Sequence, residues 1–248
     1  MLNAFVWGFI AAFSLVIGGL IASWMTISRR TLGLIMAFGA GVLISAVAYE
    51  LVFEAVSTAT ATGFPILGLF AGAATFFFSD RFVSGMVDSS ADSAGSGDAS
   101  SLVVPMVLGI ILDGIPESVA LGLGLLKGGT ISIAMLVAVF ISNLPEAIAG
   151  TSGLKASGSS TVKTLSLWLL IALVCGGASA AGFALLAGVP GTWIAFVQTF
   201  AAGAILTMLA NSMIPEAYEY GRKLAGLWLV LGFAVAVCVV VLEHSPAG

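Results

Sequence analysis

Runs of about twenty mainly apolar residues recur along the chain, beginning with MLNAFVWGFIAAFSLVIGGLIASWM at the N-terminus. An α-helix needs about 20 residues to cross the hydrocarbon core of a bilayer. A membrane β-strand needs about ten residues and alternates polar with apolar side chains, which these runs do not do. Hydrophobic residues make up 60% of the 248 residues and charged residues only 8%. The sequence therefore predicts an all-α, polytopic membrane protein whose main partner is the lipid bilayer.

We predict eight transmembrane helices in one membrane domain that covers residues 1–248. The first run has no basic stretch before it and is longer than the apolar core of a signal peptide, so it counts as a span. The longest connection, 82–101, is rich in small and acidic residues and is predicted to be a flexible loop. The predicted spans are 3–26, 31–55, 64–80, 102–125, 129–150, 164–187, 193–217 and 224–242.

The basic residues predict the orientation of the chain, because cytoplasmic loops of membrane proteins carry an excess of Lys and Arg. With the N-terminus outside, seven basic residues fall on inside connections and only Lys127 falls on an outside connection. Both termini are then extracytoplasmic, and the 82–101 loop is cytoplasmic. The compact loops favour a multi-pass protein of a bacterial inner membrane. The seven inside residues are Arg29, Arg30, Arg81, Lys155, Lys163, Arg222 and Lys223.

Other residues near or within the spans are interpreted as structural. The five tryptophans lie close to predicted span ends, as expected for aromatic belts at the membrane surface. The two cysteines, Cys175 and Cys238, lie in apolar runs and are predicted to be small core residues. The only histidine, His244, follows the last span and is predicted to be a solvated tail residue. The tryptophans are Trp7, Trp24, Trp168, Trp193 and Trp228.

An internal repeat links the second and seventh spans. The segment FGAGVLISAVAYELVFEA at 38–55 is identical to FAAGAILTMLANSMIPEA at 200–217 in six of eighteen positions. The two spans cross the membrane in opposite directions under the predicted orientation. Inverted repeats that flank a central site are typical of transporters, which predicts a 3+2+3 arrangement of the eight helices. The alternative is that both segments converged on small residues for close helix packing.

Spans four and five carry carboxylates near their middles, in the segments ILDGIPESVALG and FISNLPEAIAG. Asp113 and Glu117 are four residues apart and share a helix face, as do Asn143 and Glu146 at a spacing of three. Such residues are costly in a bilayer and usually face the bundle interior with a partner. No basic residue is predicted at the same depth in any span. Protonation or a bound cation is therefore expected to offset the burial of these carboxylates.

A proline precedes the glutamate in both segments. Pro116 cannot donate a hydrogen bond to the carbonyl of Leu112, and Pro145 cannot donate to the carbonyl of Ile141. We expect each helix to kink and to expose a backbone oxygen beside its carboxylate, as in the broken helices of transporters. A kink used only for packing explains one proline well but explains two matched Pro-Glu pairs poorly.

The predicted ligands are nearly all oxygen atoms, which suit hard or borderline divalent ions such as Mn²⁺ or Mg²⁺. Additional carboxylates lie near the ends of the repeat segments: Glu50 and Glu54 toward the outside, and Glu216 and Glu219 toward the inside. They could line an entry and an exit for an ion, or they could be solvated helix-end residues. The predicted ligands are Asp113, Glu117, Ser142, Asn143 and Glu146.

The motifs together resemble the ZIP (Zrt/Irt-like) family of divalent metal transporters. DGIPES is similar to the family's HNxPEG motif in span four, and SNLPEA is similar to the matching motif in span five. YELVFEA and NSMIPEA are similar to HxxPEA-like segments in spans two and seven. The resemblance covers nearly the whole chain, including eight spans, both ends outside and a longer cytoplasmic loop after span three.

The resemblance implies a metal site on spans four and five. Asp113 stands where the family has a histidine, and Gly114 stands where it often has asparagine. Glu117 and Glu146 match the two shared glutamates, while Ser142 and Asn143 match span-five ligand positions. In span six, LVCGGASAAG is similar to SGLAEPLG, with Ser179 in place of a glutamate that some members use as a ligand. The departures favour a single oxygen-rich site on Asp113, Glu117 and Glu146, with selectivity moved away from zinc.

We therefore expect a transporter that moves a divalent metal such as zinc, iron or manganese into the cytoplasm as its substrate. Two alternatives stay open, a ZIP-like cation sensor or non-transporting homologue and a proton-coupled carrier of another solute. An intramembrane metalloenzyme is not expected, because the sequence has no HExxH or similar activating motif. No nucleic-acid partner is expected, and the small-residue helix faces permit a homodimer.

Overall fold

The computed structural model describes residues 1–59, 63–93, 103–128 and 131–244, and the regular elements in these ranges are helices. Eight helices there are long and apolar enough to cross a membrane, which confirms the predicted all-α architecture. The eight helices are α1 Leu2–Trp24, α2 Arg29–Thr58, α3 Phe64–Ser93, α4 Val103–Gly128, α5 Ile133–Ala156, α6 Thr161–Leu186, α7 Gly191–Gly221 and α8 Leu224–His244.

Serine caps begin three of these helices. The hydroxyl of Ser28 accepts a hydrogen bond from the amide of Thr31 at the start of α2. Ser132 begins α5, and Ser160 begins α6, through the same side-chain contact. Each cap satisfies an amide that the first helical turn leaves without a partner, so the short connections end at defined residues.

Helix α3 is longer than the span predicted for it. We expected the span to end at Asp80, but the helix continues without interruption to Ser93. Residues 82–93 contain no proline, so nothing removes a backbone donor once the helix leaves the apolar run. The first part of the predicted 82–101 loop is therefore helical, and residues 94–101 lie outside the described ranges.

Helices α2 and α7 each contain a π-helical segment. It covers Val47–Phe53 in α2 and Leu209–Met213 in α7. Val47 and Leu209 are each the tenth residue of the two similar sequence segments, 38–55 and 200–217. A π turn inserts an extra residue into a helix and often marks a functional site. Helix α7 has Pro215 two residues after its π segment ends, but α2 has Phe53 at the equivalent repeat position, so proline alone does not explain the feature.

The helices pack in a reciprocal pattern. Helix α2 packs on α8, and α7 packs on α3. Helix α1 packs on α5, and α6 packs on α4. Helices α1 and α6 contact each other, as do α2 and α7. This arrangement places α4 and α5 inside a frame formed by α1, α2, α6 and α7, while α3 and α8 are mostly exposed at the periphery.

Glycine permits the close contacts of the peripheral helices, α8 with α2 and α3 with α7. At each of four glycines, an added Cβ atom would overlap a backbone carbonyl of the partner helix, so only glycine fits without movement. Small residues at such crossings let membrane helices approach closely. The four contacts are Gly41 with Leu229, Gly203 with Leu69, Gly232 with Phe38 and Gly72 with Phe200.

Two sequence-based assignments of side chains are wrong. Trp168 is not part of a membrane-surface belt, because it is fully buried and its indole donates to the hydroxyl of Thr151 at 2.8 Å. Cys238 is exposed on α8, since that helix buries only one face against the bundle. Cys175 is buried as predicted. The side chain of His244 lies outside the part that the structure describes.

Candidate metal site between α4 and α5

Helices α4 and α5 bury three of the polar predicted ligands in the interior of the bundle. Glu117 is 1% exposed, Ser142 is fully buried and Asn143 is 3% exposed. The Ser142 hydroxyl lies 3.3 Å from Oε1 of Glu117 and 3.0 Å from the carbonyl oxygen of Val139. Facing residues of the two helices therefore meet through their polar side chains.

Two carboxylate oxygens at this position are buried without a hydrogen-bond donor. They are Oε2 of Glu117 and Oε2 of Glu146. Burying a charged oxygen without a partner is costly, so native proteins usually pair it or bind a cation there. Neither Lys nor Arg occurs between Val103 and Leu126 or between Ile133 and Leu154, so no cation of these helices lies at this depth.

The remaining predicted carboxylate, Asp113, lies one turn before Glu117 on α4 and is partly exposed. Asp80 of α3 is within electrostatic range of Asp113. Glu146 is within electrostatic range of Asp113 and Glu117, and also of Glu216 on α7. The central carboxylates therefore form a loose series that extends from α3 to α7.

The carboxylate groups of these residues do not surround a common position that one ion could occupy. Among the residues that the structure describes, no three His, Cys, Asp or Glu side chains meet in a geometry that holds a metal ion. Coordination of one ion by Asp113, Glu117 and Glu146 would therefore require their side chains or helices to move inward.

Both prolines lie inside uninterrupted α-helix, at Pro116 in α4 and Pro145 in α5. We expected a kink at each proline; neither proline interrupts its helix, and the irregular π-helical backbone occurs in α2 and α7. Because neither proline has an amide hydrogen, the carbonyls of Leu112 and Ile141 still lack their usual intrahelical donor.

Helices α2 and α7 contact the site directly. A Cβ atom added to Gly39 of α2 would lie 3.1 Å from the terminal methyl group of Met213 in the α7 π segment. The same atom would lie 3.3 Å from Cα of Ser142 and 3.5 Å from the carbonyl oxygen of Ile141. Because of these contacts, a movement of α2 or α7 would displace Ser142.

A small cavity adjoins the site toward the end of the bundle that contains Glu54, and we call it the Glu54 cavity. Its volume is about 20 Å³, enough for one water molecule, which needs about 10–15 Å³. The buried amide of Gln198 donates to Oε2 of Glu54 at 3.1 Å on its wall. Ala120 lies one helical turn from Glu117, so the cavity floor is adjacent to the central glutamates. The cavity is lined by Glu50, Leu51, Glu54, Ala120, Leu121, Gly124, Ile131, Ser132, Met135 and Gln198.

At the opposite end of the bundle, Glu216 is half-buried and lies within hydrogen-bonding reach of the Tyr220 hydroxyl. The guanidinium carbon of Arg29 is 5.6 Å from the centroid of the Tyr220 ring. This contact links the start of α2 to the end of α7. Glu219 is exposed beside it. The carboxylates predicted to line an entry and an exit thus lie at the two ends of the same pair of helices.

Cys175 of α6 adjoins the site, which the sequence did not predict. Its sulfur lies beside Gly114 and within hydrogen-bonding reach of Ser118 on α4. Cys175 and Ser179 are one helical turn apart, and this spacing could have identified Cys175 as facing α4. Ser179 is fully buried between Gly8 and Gly122, and its hydroxyl has no hydrogen-bond partner.

Comparison with known proteins provides no family assignment, because no family model and no curated protein matches the chain. The resemblance to ZIP transporters therefore stays a prediction from motifs.

Proposed function

We propose that this protein transports a divalent metal cation across the membrane through a site between α4 and α5. The observation that carries the proposal is a pair of buried carboxylate oxygens, Oε2 of Glu117 and Oε2 of Glu146, that have no hydrogen-bond donor. Two neighbouring carboxylates without a basic partner favour a cation with two positive charges. Asp113 and Asn143 supply further oxygen ligands, and Ser142 orients Glu117.

The arrangement of the other carboxylates supports transport over simple binding. Glu54 lies beside the cavity at one end, Glu117 and Glu146 lie in the middle, and Glu216 lies toward the other end. An ion could therefore pass between acidic groups without crossing a fully apolar layer. Carboxylates in such a series are typical of ion pathways through membranes.

Two features support an inverted 3+2+3 repeat as the basis of transport. Exchanging α1 with α6, α2 with α7, α3 with α8 and α4 with α5 leaves the observed packing pattern unchanged. The four glycine crossings also exchange with one another under this relabelling, and the π segments begin at matched positions. Alternating access would then arise when α2 and α7 move relative to the central pair, as in other transporters with inverted repeats.

The orientation follows the basic residues. Arg29, Lys155 and Arg222 belong to connections at the Glu216 end, which makes that end cytoplasmic. The Glu54 cavity then faces outward and is the entry, both termini are extracytoplasmic, and metal moves inward. The compact connections favour a bacterial inner membrane.

Metal uptake into proteoliposomes tests the proposal. Liposomes that contain the wild-type protein and an internal metal-sensitive dye should take up Zn²⁺, Fe²⁺ or Mn²⁺, and E117Q/E146Q should abolish uptake. The exposed Glu243 of α8 provides the control, because E243Q removes a carboxylate outside the proposed pathway, keeps an oxygen that can accept from the Ile133 amide, and should retain uptake. Unchanged uptake by E117Q/E146Q would contradict the proposal.

A proton-coupled carrier of another solute is the second candidate, because protonation would also offset the burial of Glu117 and Glu146. The observation that favours it is the lack of a three-ligand group among the described residues. Metal titration of the purified protein separates the candidates. A divalent ion that binds the wild type but not E117Q/E146Q supports metal transport, whereas a carrier of another solute would bind no divalent ion there.

A further inference from the structure

A hydrogen bond joins α2 and α7 at the Glu54 cavity. Nε2 of Gln198 on α7 donates to Oε2 of Glu54 on α2 at 3.1 Å, and both residues line the cavity. Gln198 is 1% exposed, whereas Glu54 is half-buried. A hydrogen bond to an ionised carboxylate is about twice as strong as one between neutral groups. One oxygen of Glu54 is therefore held in place by a neighbouring helix.

Gln198 is an unusual residue type for a fully buried position. Glutamine is mostly exposed in proteins, and burying its amide is unfavourable unless the amide is hydrogen-bonded. An apolar side chain of similar size would fill the same volume without that cost. The contact with Glu54, rather than packing, therefore explains why an amide is buried at this position.

The opposite end of the same two helices has a different residue at the matching position. Glu54 and Glu216 occupy the same position in the two similar segments of α2 and α7. Met36 stands two residues before the first segment, as Gln198 stands two residues before the second. Met36 is also buried, but its thioether has no hydrogen to donate. Glu216 is instead within hydrogen-bonding reach of Tyr220, which is one turn later in the same helix. Glu54 is thus bonded across the two helices, whereas the contact of Glu216 lies within one helix.

We propose that Gln198 is the positioning residue of the entry, because its amide holds Glu54 on the wall of the cavity, where the carboxylate can bind an incoming divalent cation. This inference depends on the proposed metal transport. A ligand that is already held in place loses less side-chain freedom when an ion binds, so the ion binds more tightly. Partners that orient a metal ligand typically change the affinity for the metal by a factor of about ten to a hundred. Gln198 therefore acts on capture of the ion, before the ion reaches Glu117 and Glu146.

Uptake kinetics of Q198M test the proposal. Methionine fills a similar volume, lacks the donor and is the residue that α2 has at the matching position. With whichever of Zn²⁺, Fe²⁺ and Mn²⁺ the wild type takes up in proteoliposomes, KM should rise about tenfold while the maximal rate changes much less. T199V is the matched control, because Thr199 is equally buried but its hydroxyl bonds carbonyl oxygens of its own helix, so KM should stay at the wild-type value. An unchanged KM in Q198M would overturn the proposal.

A double-mutant cycle decides whether Gln198 acts through Glu54. E54A should raise KM, and adding Q198M to E54A should raise it no further, because the carboxylate that Gln198 holds is then absent. If Q198M raises KM by the same factor in the wild-type and E54A backgrounds, Gln198 acts elsewhere and the proposal is wrong. A structural role would produce that additive pattern.

A second variant tests the same hydrogen bond with Gln198 intact. E54D keeps the charge but shortens the side chain by one methylene, which moves the carboxylate away from the amide. KM for E54D should rise as it does for Q198M. If the thermal midpoint in detergent shows that Q198M folds poorly, E54D still decides the question, and a wild-type KM for E54D would contradict the proposal.

The controls separate failure of this inference from failure of the proposed function. If the wild type takes up divalent ions, E117Q/E146Q does not, and Q198M keeps the wild-type KM, only the role of Gln198 is wrong. If the wild type takes up no divalent ion, both proposals are wrong.

Discussion

The hydroxyl of Ser142 donates to Oε1 of Glu117 across the α4–α5 contact, at a distance of 3.3 Å. Ser142 also donates toward the carbonyl oxygen of Val139 in its own helix, at 3.0 Å. One hydroxyl proton is thus shared between a carboxylate and a backbone carbonyl. Because Oε1 has this contact and Oε2 has none, Ser142 fixes which oxygen of Glu117 is available for an ion.

S142A should weaken metal binding by about tenfold, because residues that orient a metal ligand typically contribute that much affinity. Metal titration of the purified variant measures the change. The control is S152A on the same helix, where the hydroxyl bonds only the carbonyl of Ile148 and is distant from the site. Equal affinities of S142A and S152A would contradict an orienting role for Ser142.

Changes in the Glu54 cavity should affect entry more than translocation. E54Q removes a charge beside the buried amide of Gln198 while the central glutamates stay intact. We expect KM for metal uptake to rise several-fold with a smaller change in the maximal rate. S57A at the same end of α2, where the hydroxyl bonds the carbonyl of Phe53, should keep the wild-type KM. A loss of maximal rate alone in E54Q would indicate that Glu54 acts after entry.

The glycine crossings should be intolerant of even one methyl group. G203A would force α7 away from the Leu69 carbonyl of α3, and overpacking of this kind costs about 1–3 kcal/mol. Its thermal midpoint in detergent should therefore fall. Gly177 on α6 has open space around its Cα, so G177A should be neutral or stabilising by up to about 1 kcal/mol. Equal midpoints for the two variants would contradict the close α3–α7 contact.

The orientation can be tested with two exposed alanines at opposite ends of the bundle. In the C238S background, A187C lies after α6 at the predicted outer end and A156C lies at the end of α5 at the predicted inner end. A membrane-impermeant thiol reagent added to intact cells should label A187C but not A156C. Lysed cells, in which both should react, control for reactivity. The reverse pattern would place both termini in the cytoplasm and reverse the proposed direction of transport.

The sequence predicted the helices better than their irregularities. Apolar runs of about twenty residues are a strong signal for spanning helices, because a backbone in lipid must satisfy its own hydrogen bonds, which a helix does. The continuation of α3 beyond Asp80 was not predicted, because the residues after Asp80 lack the regular spacing of apolar side chains that indicates a helix. The π segments in α2 and α7 were also missed, because no residue type marks them: one is followed by a proline and the other is not.

Predictions for single side chains depended on which helix face meets a neighbour. Trp168 was assigned to a membrane-surface belt, but Gly19 of α1 and Gly150 of α5 leave room for its indole in the core. Cys175 and Cys238 have the same residue type and similar apolar contexts. They differ in outcome because α6 turns Cys175 toward Ser118 and Gly114, whereas α8 turns Cys238 outward.

By itself, the sequence determined the all-helical, eight-span architecture and the presence of carboxylates at mid-depth in spans four and five. Spacing along one helix also determined that Asp113 and Glu117 share a face, because that relation is local. Only the tertiary structure decided which helices meet. It brought Ser142 close to Glu117, Gln198 close to Glu54 and Cys175 close to α4, because each of these contacts joins helices that are far apart in the sequence.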